Sequence, residues 1–131
     1  MQMRSWLTAA ALCAVASTAT GHAAVTEDTF LVRNTGDLVD LCTAAQSDPL
    51  YTAAINFCQG FGVGVYHVLE EEDMARRPRH MFCMPTPALT RNEALAIFVK
   101  WAKDNPNQMA QPAADGILVF LTRQFPCPRG R

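Results

Sequence analysis

Cysteine placement constrains this chain more tightly than any other feature. Five cysteines occur in 131 residues, at positions 13, 42, 58, 83 and 127. Cys13 lies in a leader of the secretory kind, with Arg4 as its one early cation, an almost wholly apolar run over residues 6–16, and small residues through Ala24. Gly21 and Ala23 are the small residues a signal peptidase requires, so cleavage is expected after Ala23, with Ala24 as the second choice. The apolar run covers about eleven residues, whereas a membrane span needs roughly 20. Removal of residues 1–23 leaves Cys42, Cys58, Cys83 and Cys127. An even count in a short exported chain reads as two disulfides, with three connectivities open. Gaps of 16, 25 and 44 residues are too wide for paired metal ligands, which stand about two to four residues apart. A thiol nucleophile would strand an odd cysteine in an oxidising compartment.

Residues 24–131 suit one modest domain. Without Arg4 they carry 10 basic and 12 acidic side chains. That balance provides no field for a nucleic-acid backbone and no polybasic run for an anionic membrane. No second stretch is long and apolar enough to span a bilayer, so no membrane insertion is expected after the leader is cut.

The remaining pattern is helical throughout, and the expected fold is all-α, a compact bundle of four to five helices stapled by two disulfides. Residues 25–33 form a short lead-in, read as extended. Thr35 can cap a first helix with Asp37 in its first turn, and Leu38, Leu41, Cys42 and Ala45 recur on one face. Ser47-Asp48-Pro49 ends that helix and starts the next, Asp48 as N-cap and Pro49 at the first position. The second helix is expected over residues 49–73, with Leu50, Ala54, Phe57, Phe61, Val65, Val68 and Leu69 as its apolar stripe. Cys83-Met84-Pro85 and Thr86-Pro87 make a stiff connector. Thr90-Arg91-Asn92-Glu93 is a capping box opening a third helix with Leu95, Phe98, Val99 and Ala102 inward, ended by Asp104-Asn105-Pro106. A fourth helix is expected over residues 111–124, with Ile117, Leu118, Phe120 and Leu121 inward. Cys83 precedes the third helix and Cys127 follows the fourth, while Cys42 and Cys58 flank the first turn. This layout favours Cys42–Cys58 and Cys83–Cys127.

Three features could carry binding. Glu70, Glu71, Glu72 and Asp73 oppose the macrodipole at the end of the second helix, whose last turn is expected to fray. Arg76, Arg77, Arg79 and His80 follow at once. Such runs are most often solvated surface, but an acidic block beside a basic one on a loop is the first place to seek a partner contact. The turn around Asp104, Asn105 and Asn107 is the second. Gly60 and Gly64, four apart, share one helix face and admit close approach of another helix, within the monomer by preference or across a dimer seam.

Catalysis finds no support. His67 and His80 have no metal-ligand partner at helical spacing and no nucleophile motif. The glycines follow no strand, so they form no phosphate loop. Four contiguous carboxylates cannot all face one pocket. No cofactor is implied.

The order of these motifs carries a likeness. Thr35-Gly36-Asp37-Leu38 with Leu41-Cys42, then Cys58-x-Gly60-x-Gly62-Val63, Phe82-Cys83-Met84-Pro85, a helix ending Asn105-Pro106, and Phe125-Pro126-Cys127 resembles the Rap/Tai immunity family. The resemblance implies a periplasmic helical domain, commonly a homodimer, that binds a type VI secretion cell-wall amidase toxin and blocks its active-site groove. The alternatives are a periplasmic acid-stress chaperone, which would unfold or dissociate in acid, and a structural envelope module without a toxin partner.

Overall fold

The structure, a computed structural model, describes residues 24–128. The expected leader and the last three residues of the basic tail lie outside them. Four α-helices follow in order: α1 (Thr35–Cys42), α2 (Tyr51–Ala75), α3 (Arg91–Asp104) and α4 (Ala113–Gln124). Two 3₁₀ turns, Glu27–Leu31 and Pro106–Gln108, precede α1 and α4, and there is no strand among the described residues. The lead-in is therefore coiled into a turn, with Glu27 and Asp28 in its first positions, rather than extended.

The short helix α1 occupies the centre and touches all three others. Thr35, Leu38, Val39 and Leu41 are fully buried on it. Its N-cap is Asn34, one residue earlier than expected, whose side chain accepts the Asp37 N–H at 2.9 Å; the Asp37 carboxylate in turn accepts the Arg33 N–H at 2.9 Å. Thr35 is thereby released for a tertiary role. Its N–H and its hydroxyl both donate to the Gln111 carbonyl, at 2.8 and 3.2 Å, and the Gly36 N–H donates to the Met109 carbonyl at 2.9 Å. Amides that a helix start leaves unpartnered are thus satisfied by the chain leading into α4. Gln111 is drawn into that contact, so α4 begins at Ala113 and not two residues sooner.

Asp48 acts just before α2. One carboxylate oxygen accepts the Leu50 N–H at 2.8 Å and the other the Val25 N–H at 2.9 Å, which binds the start of the described chain to this turn. Regular helix follows from Tyr51. Along α2 only Ala54, Cys58 and Asp73 are fully buried. Phe61, Val65 and Leu69 pack against the core in part, whereas Phe57 and Val68 of the expected stripe lie outward, 38% and 62% exposed.

The capping box of α3 forms as the sequence indicates: Thr90 accepts the Glu93 N–H, and Glu93 accepts the Thr90 N–H at 2.8 Å. Thr90 also holds the Glu93 carboxyl below its ordinary pKa through hydroxyl and amide bonds. Phe98 and Ala102 are buried as expected, together with Trp101. Phe98, Trp101 and Phe120 form an aromatic cluster with centroids 5.4 to 6.3 Å apart, and Phe125 stands edge-on to Phe120 at 5.7 Å. Burial of such rings contributes about 1.5–3 kcal/mol apiece.

The disulfides join Cys42 to Cys58 and Cys83 to Cys127, the pairing favoured by the helical layout. The first ties the end of α1 to α2. The second ties the connector before α3 to the chain after α4, where the Cys83 N–H also donates to the Phe125 carbonyl at 2.7 Å. Closing loops of 16 and 44 residues stabilises by about 3 and 4 kcal/mol through the unfolded chain.

Candidate partner-binding surface

The acidic and basic blocks meet at the end of α2, but not as a uniform charged patch. Asp73 is turned inward and is 5% exposed. Its carboxylate accepts the Met81 N–H and lies 2.6 Å from His80 Nδ1. Burial alone would raise the Asp73 pKa; the Met81 amide, His80 and the Phe82 amide outweigh it and hold the carboxyl below its ordinary value. This clasp explains why α2 persists to Ala75 instead of fraying. One of the four carboxylates leaves solvent and spends its charge on the returning loop.

Glu70 is also engaged. The Tyr66 hydroxyl donates to it at 2.8 Å, and His67 Nδ1 lies 3.5 Å away. Burial, and then the Glu70 carboxylate, push the Tyr66 phenol up to about 12. Glu71, Glu72, Arg76, Arg77 and Arg79 remain: all are exposed, and their side chains enter no ion pair among the described residues. Backbone bonds shape the loop, the Arg76 N–H to the Asp73 carbonyl at 3.1 Å and the Arg79 N–H to the Arg76 carbonyl at 3.0 Å. Three arginines are therefore displayed on a loop anchored at both ends.

The second candidate turn is mostly occupied with its own architecture. Asp104 pairs with Lys100 at 2.6 Å, and the Asn105 side chain donates to the Trp101 carbonyl at 2.8 Å, closing the end of α3. Asn107 is exposed. No hydrogen bond or ion pair among the described residues joins this turn to the end of α2.

Gly60 and Gly64 do not serve close packing within the chain. A Cβ added at either would meet no atom within 4 Å. They lie instead on the outer face of α2, near the stacked rings of Phe57 and Phe61. The glycine that close packing requires is Gly116 on α4, where a Cβ would fall 2.2 Å from Thr35 Oγ1. Sequence reading missed it because a single glycine inside a helical pattern has no spacing partner to mark it.

Four helices closed by two disulfides, with charge displayed at the end of one long helix, define a small bridged helical domain. The sequence matches the Rap1a immunity proteins over residues 34–127, and the chain belongs to that family. Membership implies immunity to a type VI secretion amidase toxin, a non-enzymatic role with a toxin as partner, and with the disulfides it is consistent with the periplasm. Neither the curated proteins nor the solved structures contain a match to the chain. No helix among the described residues is long and apolar enough to cross a membrane.

Proposed function

We propose that this protein is exported by cleavage after Ala23, binds a type VI secretion peptidoglycan amidase in the periplasm, and inhibits it by occluding the active-site groove. The family match over residues 34–127, which takes in all four bridged cysteines, carries the reading. The end of α2 is the plug. Its arginines at 76, 77 and 79 and carboxylates at 71 and 72 are the charged groups left free by the internal contacts, and the Asp73 clasp fixes the loop in advance of binding, so less ordering entropy opposes association. The outer face of α2 around Gly60 and Gly64 is the seam of a homodimer, which would cover Phe57 and Val68.

The test is calorimetric titration of the purified protein with the amidase encoded beside its gene, together with a peptidoglycan hydrolysis assay. Stoichiometric inhibition is expected. Reversal of charge at Arg76, Arg77 and Arg79 together should weaken binding at least tenfold without altering the helical spectrum. A neighbouring amidase that neither binds nor is inhibited overturns the reading. Sedimentation of Gly64→Glu against the parent tests the dimer separately.

A further inference from the structure

Asp48 holds the beginning of the folded chain and has acceptor sites to spare. One of its oxygens accepts the Leu50 N–H at 2.8 Å and the other the Val25 N–H at 2.9 Å, whereas a carboxylate offers about four acceptor sites. Asp48 is partly buried, and no basic side chain pairs with it among the described residues. The Val25 side chain is buried at 7% exposure, so the carboxylate and the chain start are fixed relative to one another. Ala24, the residue before, is exposed.

The cut proposed after Ala23 turns the Ala24 nitrogen from an uncharged amide into an ammonium. Three backbone bonds of about 1.3–1.5 Å each separate that nitrogen from the Val25 nitrogen. It therefore lies at most about 7 Å from the Asp48 oxygen, and rotation about the Ala24 Cα–C bond brings it closer. A cut after Ala24 would place the ammonium on the Val25 nitrogen itself, 2.9 Å from the same oxygen. Opposite charges at such range favour each other's ionised forms. The other charged groups of the lead-in are Glu27 and Asp28 in the first positions of its 3₁₀ turn, and Arg33, whose guanidinium reaches the Asp28 carbonyl at 3.5 Å. With Ala24 in solvent, the expected effect is small but measurable.

We propose that the α-ammonium created by removal of the leader pairs with Asp48 and completes the anchorage of the lead-in to the turn before α2. The precursor lacks this charge, so the tie forms only after export. It rests on the cleavage proposed above and not on the toxin.

Mass spectrometry of the protein recovered from the periplasm reads its first residue, and NMR titration of its α-amino group reads the pairing. A start at Ala24 is expected, with an α-amino pKa at least about 0.3 higher in the parent than in Asp48→Asn. Selective acetylation of the α-amino group removes its charge and leaves every side chain in place. Near pH 6, below the roughly 7.7–8.0 of a free α-amino group, acetylation should lower the folding equilibrium constant about twofold more in the parent than in Asp48→Asn. Near pH 9.5, where the free amine is neutral, that difference should vanish. A first residue other than Ala24 or Val25 overturns the cleavage reading and the pairing with it. With either start, an α-amino pKa equal in parent and variant, or an equal response of the two to acetylation near pH 6, overturns the pairing alone. If Asp48→Asn does not fold, the α-amino pKa of the parent in buffer and in urea decides, and equal values overturn the pairing.

Discussion

The two ends of this molecule are held by different physics. Where α1 meets α4, contact is so close that the Gly116 hydrogen faces the Thr35 side chain with no room for one more carbon. Where α2 ends, a single buried carboxylate holds the chain, and the side chains beyond it stand in water. The first region tolerates almost no change in shape. The second makes few packing demands on its exposed side chains, and its fixed point is the contact of Asp73 with His80 and Met81. A binding protein that must fold reliably while meeting a variable partner benefits from that division.

The largest expected effect tests whether the packed end also depends on its covalent tie. Replacement of both Cys83 and Cys127 by serine should lower unfolding free energy by about 4 kcal/mol, read from urea midpoints. Loss much below that would mean that the Phe125–Cys83 backbone bond and the aromatic cluster suffice. Gly116→Ala comes next. The new carbon would meet Thr35 Oγ1 at 2.2 Å and two Thr35 carbons at 3.2 Å, and overpacking of this kind costs about 1–3 kcal/mol. Thr35→Ser in the same background should restore part of the loss by removing the Cγ2 contact.

Breaking the other end should do less to the whole and more to one loop. Asp73→Ala leaves the Met81 amide without its acceptor, at a cost of about 2 kcal/mol, and should speed hydrogen exchange at Met81 while α1 and α4 stay protected. The clasp also sets an acid dependence. Because the folded Asp73 pKa lies below its ordinary 3.8, its stabilisation is complete above that value and is lost as pH falls through the lower folded one. Thermal melts between pH 5 and pH 2, as an approximate range for carboxylates, should show a steeper decline for the parent than for Asp73→Asn. The smallest effect has the opposite sign. Gly60→Ala and Gly64→Ala, with open space around each, should stabilise the monomer by about 0.5–1 kcal/mol apiece. A destabilised or dissociated product would instead show that the α2 face is covered in solution.

The contrast also explains what could be read from the sequence. Helices, capping box and disulfide pairing depend on local spacing, and Thr90, Glu93, Phe98 and the four cysteines announced themselves in that way. Thr35 and Gly116 did not, because their partnership spans 81 positions and depends on backbone carbonyls at Met109 and Gln111 that carry no sequence signature. Asp73 looked like its three acidic neighbours. Only the return of the chain at His80 and Met81 separates it from them. The outward turn of Phe57 and Val68 was equally hidden, since a broad apolar stripe does not say which of its members the core covers, and the rings that Phe57 meets are the lead-in ring of Phe30 and its helix neighbour Phe61.

The disulfides close residues 42–58 and 83–127 into two covalent rings. Residues 59–82 belong to neither. Lengthening or shortening that bridge between rings, by a turn of helix or a longer loop, alters the size of neither ring and leaves both crosslinks where they were. The loop that carries the displayed arginines, between the Asp73 clasp and the second ring, can thus change length without resizing either ring.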